Sequence, residues 1–216
     1  YHRIKMKIKK GQDIEWVAAV RQRFPDIALM VDANGDYTLD DTARLRELDD
    51  FHLMMIEQLL SYSDIYQHSL LQKELQTPLC LDESIHTLDD ARTAVALAAC
   101  RILNIKQGRV GGLIESMRMA EFAASQHIAV WSGGMDETGI GRAVNIHLQT
   151  VPAFNLPGDT SETSRYFLQD IADPPVVLDQ EGYIAIPPGA GIGVDIPPDR
   201  LARFTIDVET LARKGL

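Results

Sequence analysis

The chain has 216 residues, 45% hydrophobic and 24% charged, with 21 basic and 31 acidic side chains and a formal net charge of −10. Those proportions exclude disordered, collagen-like and fibrous chains, and an acidic balance without a basic stripe makes nucleic acid and anionic membrane surfaces poor partners. No apolar run reaches the about 18 residues a membrane helix requires, no signal-peptide pattern opens the chain, and two cysteines, Cys80 and Cys100, exclude a disulfide framework. The expectation is a cytoplasmic protein with two reduced, buried thiols.

In chain order, short apolar strands alternate with amphipathic helices. A strand over 4–9 leads to a helix over 14–24, capped by Asp13 and stopped before Pro25. A strand over 28–32 and a helix over 39–49 follow, then 54–57 with 65–75, 79–82 with 88–99, and 102–106 with 113–125. The last pairs are a strand over 128–131 with a helix over 139–150, and a weaker strand over 153–156. Two helices open on the same capping-box wording, Thr38-Leu-Asp-Asp41 and Thr87-Leu-Asp-Asp90, 49 residues apart, which is two strand-plus-helix modules. Beyond residue 160 the pattern changes to a hairpin over 176–186 and a last helix over 200–211. Residues 1–160 therefore read as one α/β unit and 161–216 as a tail packed on it.

Alternating modules imply a parallel sheet, either an open doubly wound sheet or a closed barrel. The glycine run 189–193 follows Pro187-Pro188 and opens no helix, so it reads as turns rather than a phosphate cradle. The barrel is preferred.

Side chains alternate along a strand, so residues sharing a face can be read directly. Lys5, Lys7 and Lys9 share one face of the first strand. Each later strand is apolar along its length and carries an ionisable residue at its C-terminal end. Lys7, Asp32, Glu57, Asp82 and Lys106 follow one another at intervals of 25, 25, 25 and 24 residues. In a barrel those ends meet at one mouth, where active sites lie. Three carboxylates at one level repel unless a cation joins them. Oxygen-only ligands suit Mg²⁺, or Mn²⁺ in its place, and none of the six histidines has zinc-like spacing. The like charge of Lys5 and of a metal would lower the pKa of Lys7 toward the range of a general base.

Lys5-Met-Lys7, Asp32-Ala-Asn34, Glu57-Gln58, Asp82-Glu-Ser84 and Lys106, taken together, resemble the enolase superfamily in its muconate-lactonising branch. The stretches 80–84, 103–112, 133–141 and 156–161 are similar to o-succinylbenzoate synthases and to N-acylamino acid racemases. The resemblance implies a TIM-like (β/α) barrel that is incomplete: second to eighth strands present, first strand and N-terminal capping domain absent. It implies Mg²⁺ ligands Asp32, Glu57 and Asp82, a base Lys7, and Lys106 on the opposite face as anion stabiliser or second acid/base. Lys5, Asn34, Gly134 and Met135 become substrate-binding residues for a small carboxylate. The reaction implied is proton abstraction α to a carboxylate. Dehydration to o-succinylbenzoate, in menaquinone biosynthesis, is the first reading; racemisation of N-acylamino acids is the second, and a silent fragment lacking its cap the third. A homo-oligomer is expected, and the gap left by the missing strand should be closed by a neighbouring chain, by the tail, or by disorder near Tyr1.

Overall fold

A computed structural model of the chain describes residues 3–210. Six parallel strands form one sheet in sequential order: β1 (Arg3–Lys7), β2 (Ala28–Asp32), β3 (Met55–Glu57), β4 (Leu79–Leu81), β5 (Ile102–Asn104) and β6 (Ala129–Trp131). Each crossover carries helix on the outside of the sheet, which curls into a partial barrel. The register sets Lys7 opposite Asp32 and Asp32 opposite Glu57, so the strand ends are level.

Alternation divides the apolar side chains into two cores. Leu29, Val31, Ile56, Leu81 and Leu103 face the helices and join the larger one. Met30, Met55, Cys80, Ile102 and Trp131 face inward and fill the barrel interior. Burial on both faces is the usual condition of parallel strands and explains their almost continuous apolar runs. Cys80 and Cys100 are buried and free, with the Trp131 indole N–H 3.3 Å from Cys80 Sγ.

The helices are α1 (Ile14–Arg23), α2 (Thr42–Leu45), α3 (Ile65–Glu74), α4 (Leu88–Ala96), α5 (Gln107–Val110), α6 (Leu113–Ser125), α7 (Gly139–Leu148) and α8 (Pro198–Phe204). Asp13, Asp64 and Thr87 cap α1, α3 and α4 through side-chain oxygens that accept backbone N–H groups.

Four expected elements come out differently. The helix expected over 39–49 is broken into a 3₁₀ turn (Leu39–Asp41), the single turn α2 and a second 3₁₀ stretch (Arg46–Phe51). Asp49 is drawn away to accept N–H bonds from Gln76 and Thr77 at 2.9 and 2.8 Å. The strand expected over 153–156 does not form. Pro152 and Pro157 flank it without N–H groups, and the Asn155 side chain, not a backbone carbonyl, accepts Val130 N–H at 3.0 Å. The hairpin over 176–186 reduces to a turn closed by Asp179 N–H to Tyr183 O at 2.9 Å. The last helix ends at Phe204; residue 211 lies outside the described residues, as does Tyr1.

The chain beyond 160 is tied to itself and to α7. Thr163 N–H donates to Val176 O at 2.8 Å, His147 Nε2 lies 3.1 Å from Ile192 O, and Arg142 faces Asp170 at 3.6 Å. No other described strand pairs with the outer edges of β1 and β6. The tail walls the gap without pairing: Ile184 and Ile186 line the same cavity as Ile4 of β1. Among the described residues no helix is long and apolar enough to cross a membrane.

Candidate active site

The residues singled out from spacing meet at the C-terminal end of the sheet. Asp32 and Glu57 close β2 and β3, Asp82 follows β4, and all three are almost completely buried. Each faces a cation. Lys5 Nζ stands 2.8 Å from Asp32 Oδ2 and 2.7 Å from Glu57 Oε2. Lys7 Nζ reaches the same Asp32 oxygen at 2.7 Å and Asn34 Oδ1 at 2.5 Å. Lys106 Nζ lies 2.7 Å from Asp82 Oδ2, and Arg109 pairs with Asp82 Oδ1. The Lys7 side chain is 65% exposed, whereas Lys5 and Lys106 are 19% and 17% exposed. Lys7 therefore stands at the solvent side of the mouth.

Burial dominates the electrostatics. It pushes the Glu57 carboxyl up to about 8 against the pull of Lys5. Asp82 is equally desolvated, yet Arg109 and Lys106 hold it below the usual carboxylate range. For Lys5 desolvation favours the neutral form, but Glu57, Asp32 and Asp159 outweigh it and raise the ammonium above its ordinary value. Lys5 is thus a fixed charge. It shares one counter-ion oxygen with Lys7, where spacing alone suggested two ammonium groups acting on each other.

The expected ready-made carboxylate cluster takes another form here. Among the described residues no three Asp, Glu, His or Cys side chains converge closely enough to hold a metal ion. Lys5 stands between Asp32 and Glu57, and Asp82 is turned toward Lys106 and Arg109, because mutually repelling carboxylates seek the nearest cation. The donor chemistry nevertheless fits a hard divalent cation. All three groups offer carboxylate oxygens from adjacent strand ends, and Glu57 Oε2 is buried against Lys5 Nζ at 2.7 Å, a seat one cation already occupies.

Of the other expected residues, Asn34 takes a left-handed φ of 44° and donates to Glu83 Oε1 at 2.8 Å while accepting from Lys7. Gly134 N–H donates to Asp159 Oδ1, and Met135 is 53% exposed. Lys5, Lys7, Asp32, Lys106, Gly134 and Met135 all line one cavity of about 1240 Å³.

Four further residues complete the arrangement. Gln58 is buried and ties β3 to the loop after β4: its Oε1 accepts from Asp82 N–H at 2.9 Å and Ser84 N–H at 3.3 Å, while Nε2 donates to Leu60 O at 3.1 Å and Ser84 Oγ at 2.7 Å. Asn104 Nδ2 donates to Glu57 Oε1 at 2.8 Å. Arg109 donates to Ile85 O and Asn104 O at 2.7 Å each, besides pairing with Asp82. Asp159 faces Lys5 at 3.8 Å. Asn104 was within reach of sequence reasoning, since it stands two residues before Lys106 on the same strand face. Arg109 and Asp159 carried no periodic signal.

Comparisons with known proteins identify the family of the fold. The family described as "Enolase C-terminal domain-like" matches residues 1–200. An o-succinylbenzoate synthase of Bacillus subtilis is 48% identical over 215 residues, covering 100% of this chain and 58% of that protein. An N-succinylamino acid racemase of Thermus thermophilus is 46% identical over 206 residues, covering 95% and 56%. A solved enolase-superfamily member from Listeria innocua superposes with a TM-score of 0.92 at 42% identity, covering 96% of this chain and 56% of that one. The muconate lactonizing enzyme of Pseudomonas putida follows at 0.87 and 25%, covering 94% and 58%. The chain thus spans little more than half the length of these relatives.

Proposed function

The chain belongs to the enolase superfamily, as a portion of its C-terminal barrel domain, and from that premise we propose that it takes part in proton abstraction α to a carboxylate. Its homologues at similar identity include both a lyase and a racemase. One observation carries the reading: two lysines, Lys7 and Lys106, enter one cavity from strands four modules apart, each seated on a different buried carboxylate.

A proton α to an ionised carboxylate is very weakly acidic, because its removal puts a second negative charge on the same group. Mg²⁺ held by Asp32, Glu57 and Asp82 would supply positive charge beside the substrate carboxylate oxygens, where that negative charge grows. Lys5, kept protonated, adds a fixed cation on the same side. Lys7 removes the proton from one face. Lys106, on the opposite face, holds positive charge against the developing anion. Asn34 offers a polar contact beside Lys7, and Gly134 and Met135 line the same cavity.

Dehydration to o-succinylbenzoate is the first reading in detail. There the proton and the hydroxyl leave from one face, so Lys7 serves as base and then acid. In the second reading, racemisation of an N-succinylamino acid, the proton returns to the other face and Lys106 also becomes an acid/base catalyst. The test is incubation of the chain in D₂O with Mg²⁺ and either the hydrated precursor of o-succinylbenzoate or each enantiomer of N-succinyl-phenylalanine. Dehydration or α-deuteration that stops on chelation with EDTA supports the proposal. Full activity with Lys7→Ala refutes it.

A further inference from the structure

Lys106 reaches the site through a space that exists because residue 133 has no side chain. A Cβ built on Gly133 would stand 2.5 Å from Asn104 Oδ1, 2.7 Å from Asn104 Nδ2 and 2.7 Å from Lys106 Cε. All three distances lie far inside the optimal separation of non-bonded atoms, about 3.5–4.0 Å between carbons. Gly133 is absent from the residues with positive φ, so its backbone does not demand glycine. The packing does.

Asn104 cannot easily yield. It is completely buried, its Nδ2 donates to Glu57 Oε1 at 2.8 Å, and its Oδ1 accepts Gly133 N–H at 2.8 Å. Swinging it aside would leave both partners unpaired in the barrel interior. Lys106 has a flexible stem and is held at its tip by Asp82, 2.7 Å away. An added methyl would press on both side chains: the buried amide must give way slightly, and the flexible lysine stem is the more readily displaced of the two.

We propose that Gly133 and Asn104 are a positioning pair, in which the missing side chain makes the slot for the Lys106 stem and Asn104 forms its wall while aiming Glu57. Resting on the reading of Lys106 as the group on the second face of the substrate, this assigns reaction-face selectivity to the end of β5 and the turn after β6 as well as to the lysines. Lys7 lies on β1 and approaches by a different route, so the pair acts on one lysine only.

The test uses the 216-residue chain with Mg²⁺ and the two enantiomers of N-succinyl-phenylalanine in D₂O, Lys106→Arg identifying the enantiomer whose α-proton faces Lys106. In Gly133→Ala, exchange of that enantiomer should fall by on the order of 10²-fold, the cost of misplacing a reacting group by about 1 Å, with the other changed only a few-fold. Equal loss for both enantiomers overturns the proposal. Crystal structures of the parent chain and Gly133→Ala decide it without turnover: Lys106 displaced from Asp82 supports it, and Lys106 unmoved, whether or not Asn104 shifts, overturns it. Asn104→Ala should weaken Mg²⁺ binding by about 10–100-fold in calorimetry; unchanged affinity removes Asn104 from the pair. Absence of exchange in the parent chain with either enantiomer would instead refute the proposed function, leaving the structures to judge this inference.

Discussion

Replacing Gln58 by leucine is the most direct measure of how the site is held. Its side chain closes four hydrogen bonds, and the substitution removes all of them while nearly keeping the volume, so cavity formation contributes little. Ser84 can turn its hydroxyl elsewhere. Asp82 N–H, Ser84 N–H and Leu60 O cannot, since they belong to the backbone of the two loops that follow β4 and β3. Each buried group left unpaired costs about 1–3 kcal/mol, and the 3.3 Å bond to Ser84 N–H belongs at the weak end. The expected loss is about 3–5 kcal/mol, a large share of the about 5–15 kcal/mol that holds a typical domain together. Urea denaturation followed by far-ultraviolet circular dichroism at neutral pH, without added metal, would read it. Gln58→Glu serves as a control. It keeps an acceptor for the two N–H groups and so should cost less in mild acid, where the new carboxyl is neutral, than at neutral pH, where it faces Glu57 and Asp82. A loss below about 1 kcal/mol in Gln58→Leu would refute the claim that this side chain ties β3 to the loop after β4.

The lysines separate the two chemistries: Lys7→Ala should cost about 10²–10⁴ in both dehydration and racemisation. Lys106→Arg keeps the charge but loses a usable proton acceptor, so it should destroy racemisation and spare part of the dehydration, and equal loss of both would count against this division. His68 supplies a pH dependence away from the site. Its Nε2 accepts Leu60 N–H at 3.2 Å and its Nδ1 lies 2.5 Å from Asp64 O, which suits a neutral ring protonated on Nδ1. Burial lowers its pKa below the ordinary 6.5, so the unfolded chain binds the proton more readily. Stability should be full above about 6.5 and fall as pH drops below it; His68→Gln should flatten that acid limb in denaturation curves at about pH 7.5 and 5.5, and an unaltered slope would exclude His68 as its source.

The carboxylates and lysines were legible because one module per step is a repetition that sequence displays, and the strand register preserves it as level ends. Helix caps at Asp13, Asp64 and Thr87 are local and equally open to reading. The segment 153–156 had a strand's composition, but between its flanking prolines the contact with β6 stops at Val130, whose carbonyl takes the Asn155 and Leu156 N–H groups while its own N–H goes to the Asn155 side chain. The turn of Asp82 toward Arg109 and the insertion of Lys5 between Asp32 and Glu57 depend on distances across the barrel, which no spacing along the chain encodes. Gln58 was noticed only beside Glu57. Its bonding to residues 24 and 26 positions away appears only once the sheet is assembled.

Among the described residues β1 is paired on one side alone, and it carries both Lys5 and Lys7. Asp82, Lys106 and Arg109 gather instead around β4 and β5, which have neighbours on both sides. Partial opening should therefore be lopsided. A strand fraying at the sheet margin takes away the proposed base and the fixed ammonium together, while the opposite half of the mouth stays assembled. Heating would then extinguish turnover several degrees before the bulk of the helical signal melts, and amide exchange at Ile4 and Met6 would outpace that at Cys80 and Leu103. The temperature at which the proposed activity fails would then report the adhesion of this one five-residue segment rather than the strength of the core.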